Sequence, residues 1–205
     1  EGDSEDSSVK VLYLSQPDSG LRREVWFSED ASNQKRVEEY KKYLTKLHEN
    51  NGLSPEEAGA TAARVTDMMK ELASSTLKIE EVYDAEKTYN VCTAGEAASL
   101  YSGALPFSLL NSIFGIQEGE KTVVSQPDAC RKLGSYLKEE NLPLLKEYVK
   151  TCLYSDLSMM TDTASLAAAQ EYQTAAGGIE KKKDFERTVS ETVQEKLGFQ
   201  CGRVF

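Results

Sequence analysis

Residues 54–74 read SPEEAGATAARVTDMMKELAS, and their structure is the easiest in the chain to predict. Ser54 suits the N-cap of a helix, Pro55 suits its first position, and Glu57 lies where a capping-box carboxylate belongs. The helix should therefore begin at Pro55 and continue to about Ser74. Because most of the remaining sequence has the same helical character, this stretch sets the expectation of a mainly α fold.

The flanking sequence extends the helical pattern. Residues 31–50 carry an apolar stripe at helical spacing, formed by Val37, Tyr40, Tyr43, Leu44 and Leu47. We assign such Tyr and Leu stripes to core packing. Further helices are predicted at residues 79–88, 94–101 (behind a capping box from Thr93 to Glu96), 107–114, 128–139, 143–160, 162–173 and 180–197.

Two short runs predict strands. VKVLYL at residues 9–14 and KTVVS at 121–125 are rich in β-branched residues, and Ser-Gln-Pro-Asp occurs at both 15–18 and 125–128. A lone strand leaves backbone hydrogen-bonding groups unpaired, so we expect the two to pair. The predicted fold class is mainly α, a multi-helix domain over residues 9–205 with one small two-stranded β element. Residues 1–8, EGDSEDSS, are expected to be a disordered acidic head.

The charge balance limits the possible partners. A formal charge of −10 argues against nucleic acid, which requires clustered Lys and Arg. The one basic run, residues 181–183, lies between Glu180 and Asp184 and is typical of a solvated helix face. No stretch approaches the roughly eighteen apolar residues of a membrane span, so we expect no membrane segment in this chain.

The sequence contains a partial zinc-protease motif. Residues 47–52, LHENNG, begin like HExxH, but Gly52 occupies the position of the second histidine. His48 is the only histidine in the 205 residues, so no other imidazole can complete a zinc site. We expect His48 to lie on the surface in the last turn of its helix, where a partly charged imidazole complements the helix dipole. The EKKKD run at 180–184 resembles the third-ligand motif ExxxD but has no HExxH to complete.

No other residues predict catalysis. The four cysteines, Cys92, Cys130, Cys152 and Cys201, are far apart and lack CxxC spacing, so metal binding is not expected. Cys130 and Cys152 fall in apolar helical patterns and are predicted to be buried thiols. The even number of cysteines also allows disulfides. Carboxylate pairs such as Glu38-Glu39 and Glu80-Glu81 are typical of acidic helices. We therefore predict no catalytic, cofactor-binding or metal-binding residue in this chain.

The order of the segments resembles a known family. A strand, Gln-Pro, Gly-Leu, an arginine, two aromatics and a tyrosine-bearing helix follow one another; these residues are Gln16, Pro17, Gly20, Leu21, Arg23, Trp26, Phe27, Tyr40 and Tyr43. Similar patterns recur in TVVSQPDACRKLGSYL, LPLLKEYVKTCLYSDL and DFERTVSETVQEKLGFQCGRVF. This series resembles the N-terminal helical domain of neprilysin-type zinc metallopeptidases, including endothelin-converting enzymes and PepO-like endopeptidases. Three departures from the family pattern are Arg22 in place of proline, Trp26-Phe27 in place of Tyr-Tyr, and Thr188 in place of cysteine.

The resemblance implies that this chain has a function that involves no catalytic step. In the family, the zinc ligands lie in a later catalytic domain, and the helical domain caps the chamber that holds the zinc. We expect a cap-domain fragment whose partners are the catalytic domain of the same polypeptide and short peptide substrates, with zinc bound only in that missing domain. The resemblance favours an extracellular or cell-surface location, and a cytoplasmic one stays open.

Two other functions stay open at this stage. The chain could be a free-standing helical interaction module with no enzymatic role, or a small hydrolase that uses paired carboxylates. An HExxH motif with a downstream ExxxD in the full reading frame would favour the peptidase, whereas a natural stop after Phe205 would favour the module.

Overall fold

The computed structural model describes residues 1–177 and 184–203, and the fold is mainly α as predicted. In these ranges the helices are α1 (Arg23–Trp26), α2 (Ala31–Asn50), α3 (Pro55–Ala73), α4 (Ala85–Thr88), α5 (Ala94–Ser99), α6 (Phe107–Phe114), α7 (Pro127–Tyr136), α8 (Leu142–Leu157), α9 (Thr163–Gly177), α10 (Phe185–Lys196) and α11 (Gly198–Gly202). None of them combines the length and apolar character needed to cross a membrane.

The predicted strands pair, and a third strand joins them. The strands are β1 (Leu12–Leu14), β2 (Asn90–Thr93) and β3 (Lys121–Val124), arranged in the order β1-β3-β2. β1 runs parallel to β3 with Leu12 opposite Thr122, which confirms the predicted pairing. β2 is antiparallel to β3 and was not predicted, because its four residues, NVCT, include polar Asn90 and run directly into the capping box that begins at Thr93.

The repeated Ser-Gln-Pro-Asp tetrapeptides meet where the parallel strands end. The amide Nε2 of Gln126 donates to Oε1 of Gln16 at 3.0 Å, and the N–H of Ser125 donates to the carbonyl of Leu14 at 2.9 Å. Parallel strands bring their carboxyl ends to the same edge, so two identical exits from β1 and β3 become neighbours. The repeat thus has a structural explanation.

Local capping signals gave the most accurate helix boundaries. At α3, Ser54 Oγ lies 2.8 Å from Glu57 Oε2, and at α5 Thr93 and Glu96 form a complete capping box. The helix predicted at residues 79–88 is wrong over most of its length, since only Ala85–Thr88 is α-helical. Residues 79–83 form turns instead, and the chain is broken at Asp84, whose extended backbone and side-chain bond to the N–H of Glu86 make it the N-cap of a new helix.

The acidic head contacts the sheet through one buried carboxylate. Asp3 is buried, and its carboxylate accepts hydrogen bonds from Lys121 Nζ at 2.5 Å and from the Tyr89 hydroxyl. These bonds hold the pKa of Asp3 at about 2. Lys121 on β3 thus gives residues 1–8 a contact that their composition does not indicate.

Contacts divide the chain into two compact units, each with its own core. The first comprises residues 1–28 and 67–146. Its sheet packs against α5 and α7, and the packing is close: a Cβ at Gly134 would lie 2.6 Å from the Cα of Tyr101. Glycine is therefore required at residue 134, where a backbone passes too near for any side chain.

The second unit comprises residues 29–66 and the described residues from 147 onward. Its core lies between α2 and α9, where the rings of Tyr43 and Tyr172 stack with centroids 5.1 Å apart and Tyr40 lies 5.6 Å from Tyr172. The tyrosine stripe predicted on residues 31–50 is therefore a packing surface, as expected. The hydroxyl of Tyr43 donates to Ser158 Oγ at 2.9 Å, so its polar end is also satisfied.

Candidate functional site

His48 is buried, which corrects the prediction that it lies on the surface. Its side chain is only 3% exposed, and Nε2 lies 2.8 Å from the hydroxyl of Thr151 on α8. That hydroxyl donates its own proton to the carbonyl of Glu147 at 2.8 Å, so His48 Nε2 must carry the proton of the shared bond. His48 thus joins α2 to α8 as a neutral hydrogen-bond donor.

The electrostatics of His48 follow from this burial. Desolvation lowers the pKa of the imidazole, opposed by the nearby Glu147 carboxylate, and Lys150 lowers it further. We had expected a partly charged imidazole at the helix end, but burial outweighs the helix dipole here. The contact with Thr151 lies 103 residues away in sequence, so no local pattern could have indicated it.

The cleft beside His48 holds two cations and two carboxylates. This His48 cleft, about 320 Å³ in volume, is lined by residues of α2, α3 and α8. Glu147 forms a two-point ion pair with Arg64, at 2.7 and 3.1 Å, while Glu57 is bound to Ser54. Lys150 is exposed.

The residues that the structure describes do not fit a zinc site. The single imidazole commits its Nε2 to Thr151, and the carboxylates of the His48 cleft already bond to Arg64 and Ser54. Within residues 1–177 and 184–203, no group of three or more His, Cys, Asp or Glu could hold a metal ion. No step of any reaction is therefore assigned to a metal in this chain.

A second cleft, of about 490 Å³, lies along the loop of residues 16–24. We call it the loop cleft; its opposite wall is formed by residues 76–83 and by Gln126. Arg23 fixes the two walls, because its Nη1 donates to the carbonyls of Ala73, Ser74 and Thr76 after the end of α3. The N–H of Leu77 also donates a hydrogen bond to Oε1 of Gln126, at 2.7 Å.

Arg22 also lines the loop cleft but does not hold it together. Its side chain is exposed and has no hydrogen-bond or ion-pair partner in the part of the chain that the structure describes. Sequence reasoning did not single out Arg22 as functional. The signal that could have done so was its departure from the proline of the family pattern.

A third cavity is an apolar groove beside α10. This α10 groove, about 510 Å³, lies between the turn that follows α8 and the outer face of α10. Val189, Val193 and Leu197 line it at intervals of one helical turn and are each more than 40% exposed. Such a continuous exposed apolar stripe is typical of a surface that another protein segment covers.

The remaining candidates are structural. Cys130 is buried as predicted, whereas Cys152 is only half-buried. Glu39 pairs with Lys42 one turn along α2, and Glu81 pairs with Lys87 across the turn that precedes α4. Residues 180–183 of the EKKKD run and the side chain of Cys201 lie outside the described residues.

Comparison with known families identifies the class of protein. The model of the N-terminal part of peptidase family M13 matches residues 1–205. Endothelin-converting enzyme 1 of Cavia porcellus is 26% identical over 209 residues, which is 99% of this chain and 28% of that protein. The chain therefore belongs to peptidase family M13, as the N-terminal part of a neprilysin-type metallopeptidase, and this confirms the resemblance seen in the sequence.

Solved structures share the fold. The zinc metalloprotease Zmp1 of Mycobacterium tuberculosis in complex with an inhibitor matches with a TM-score of 0.84 and 20% identity, over 100% of this chain and 31% of Zmp1. Zmp1 in its open state gives a TM-score of 0.81 and 19% identity, over 95% of this chain and 30% of Zmp1. The chain thus spans less than a third of the length of each of these relatives.

Proposed function

We propose that this chain is the non-catalytic cap domain of a zinc metalloendopeptidase and limits which peptides reach the active site. The observation that carries the proposal is the match of all 205 residues to the N-terminal part of family M13, in a chain with a single histidine. A cap acts by shape and by excluding water, so it requires packed helices rather than reactive groups.

The zinc and the catalytic residues belong, on this proposal, to another domain of the same polypeptide. That polypeptide hydrolyses short peptides, and the present chain contributes no catalytic, cofactor-binding or metal-binding side chain. The ion pairs and hydrogen bonds of the His48 cleft support this assignment, because they leave His48 Nε2 and both carboxylates engaged within the domain.

The proposal is tested with zinc and with substrates of graded size. The 205-residue chain is titrated with Zn²⁺ by calorimetry and assayed with a quenched peptide; we expect neither stoichiometric binding nor turnover. Tight one-to-one zinc binding or measurable hydrolysis would refute a non-catalytic role. The polypeptide that contains the catalytic domain is then assayed on a ten-residue peptide and on a folded protein carrying the same sequence, and only the peptide should be cleaved.

A free-standing interaction module is the second candidate function. The exposed apolar stripe of the α10 groove favours it, since a binding surface for a separate protein would have this character. The full reading frame separates the two candidates: a zinc-ligand motif after residue 205 supports the cap, and a stop codon there supports the module.

A further inference from the structure

We propose that the loop cleft is a peptide-binding subsite in which Arg22 receives a carboxylate. The inference rests on the proposed function, because it assigns a direct contact with substrate to a domain otherwise described as a barrier. It names a ligand chemistry, namely a peptide carrying a carboxylate close to an apolar side chain.

The first argument is that the neighbouring polar groups are already engaged. Arg23 donates to the carbonyls that follow α3, and the Glu24 carboxylate accepts from the N–H of Ile79 at 2.8 Å. The Asp18 carboxylate accepts from the N–H of Gly20 at 2.8 Å. Arg22 makes no such contact with any described residue. An anionic group that enters the cleft therefore meets a guanidinium whose donors are available, in the geometry that best matches a carboxylate.

The second argument concerns the apolar rim. Ile79, Val82 and Tyr83 line the cleft and are 40%, 42% and 86% exposed. Their backbone is well anchored, since consecutive N–H groups from residues 77 to 79 donate to Gln126, Glu81 and Glu24. An anchored turn that keeps three large apolar side chains in solvent is suited to binding, and tyrosine beside arginine is a typical combination for a binding hot spot.

The third argument is that the arginine is not required by the backbone. Residue 22 has φ −63°, and its N–H donates no hydrogen bond within the described residues, so this position tolerates both the fixed φ of proline and its missing donor. The side chain at position 22 is thus free to serve binding, and Arg22→Pro removes the guanidinium while keeping the backbone.

Equilibrium binding tests the proposal directly. The probe is the fluorescein-labelled tetrapeptide Ala-Ala-Leu-Phe with a free C-terminal carboxylate, titrated at low salt with the full 205-residue chain. We expect Arg22→Pro and Arg22→Gln each to weaken binding by about 1.4- to five-fold, the range for an exposed ion pair. Lys35→Gln, which changes the net charge equally on exposed α2, should leave the affinity unchanged. Tyr83→Ala should weaken binding of every peptide.

Two further peptides identify the source of the carboxylate. One is the amidated tetrapeptide, and the other is amidated Ala-Glu-Leu-Phe. If both amidated peptides lose the Arg22-dependent binding, the cleft binds a C-terminal carboxylate. If amidated Ala-Glu-Leu-Phe keeps that binding, the cleft also accepts the carboxylate of an acidic side chain. If the Arg22 variants bind all three peptides as the unmodified chain does, or if no peptide binds, the subsite does not exist.

Trp26 provides an independent readout, because it is buried behind the loop that lines the cleft and is bonded to it. It is the only tryptophan in the sequence, and its Nε1 donates to the carbonyl of Ser19 at 2.9 Å. Its fluorescence should change on peptide binding, with the same Arg22 dependence as the anisotropy. Mass spectrometry of the peptides separates this test from that of the cap: absence of binding refutes the subsite alone, whereas cleavage by the chain refutes the non-catalytic role.

Discussion

The His48 cleft and the loop cleft have similar polar compositions but use them differently. In the His48 cleft the side chains bond to one another across three helices, through Arg64 with Glu147 and His48 with Thr151. In the loop cleft the charged groups that have partners bond to backbone atoms. Arg23 donates to the carbonyls after α3, whereas the adjacent Arg22 has no partner among the described residues. Charged side chains that line a cleft therefore indicate a binding site only when they have no bonding partner within the protein.

Removal of the His48 side chain should give the largest effect. His48→Ala deletes a buried ring and its bond to Thr151, and we expect a loss of about 2–4 kcal/mol in the free energy of unfolding. Urea denaturation measures the change. The exposed neighbour serves as control, since Glu49→Ala should shift stability by less than about 0.5 kcal/mol. Equal effects at the two positions would contradict the buried placement of His48.

The two adjacent arginines should differ in stability. Arg23→Gln removes a charged donor from the carbonyls that follow α3, at an expected cost of about 2 kcal/mol. Arg22→Gln removes no contact and should cost less than about 0.5 kcal/mol. Thermal and urea unfolding of the two variants provide a matched comparison within one loop. A large loss in Arg22→Gln would mean that Arg22 supports the fold rather than a ligand.

The burial of His48 predicts a dependence of stability on pH. Its pKa is lowered in the folded chain from the ordinary 6.5, so the unfolded chain binds the proton more readily. Stability should be full above pH 6.5 and decrease as the pH falls below it. His48→Gln should abolish the slope between pH 6.5 and 5, because no second histidine titrates there. The Asp3 carboxylate also contributes to the free energy of unfolding, and this contribution is lost at lower pH, as the pH falls from 3.8 to about 2. An unchanged slope in His48→Gln would assign the effect elsewhere.

The smallest effect should come from the ion pair of the His48 cleft. Arg64 and Glu147 are 52% and 29% exposed, so a double-mutant cycle of Arg64→Gln and Glu147→Gln should give a coupling of about 0.2–1 kcal/mol. The coupling should diminish in 1 M salt, because solvent-exposed pairs are screened. A coupling that persists in high salt would indicate a more enclosed cleft than the exposed fractions imply.

Local rules predicted the helices well because their evidence is local. Ala31–Asn50 and Phe107–Phe114 match the predicted bounds, and the capping boxes mark both α3 and α5. The prediction was wrong at residues 79–84, where the helix was extended across a capping residue. Asp84 has an extended backbone and caps α4, so residues 79–83 form turns.

The clefts were harder to predict than the fold. LHENNG has only one of the two histidines of the zinc motif, and the sequence analysis placed that His48 on the surface because a partly charged imidazole suits the last turn of a helix. The family pattern distinguished Arg22 from Arg23, but it could not show that their contacts differ. Their difference depends on which guanidinium reaches the carbonyls of Ser74 and Thr76, more than 50 residues away.

The parallel pairing of β1 with β3 has a consequence for synthesis on the ribosome. Gln16 and Gln126, at the ends of these strands, are separated by 110 residues. At roughly 5–20 residues per second, β1 waits on the order of ten seconds after it emerges before its partner exists. During this interval its unpaired edge can be bound by a nascent-chain chaperone, so depletion of such factors should lower the yield of soluble protein.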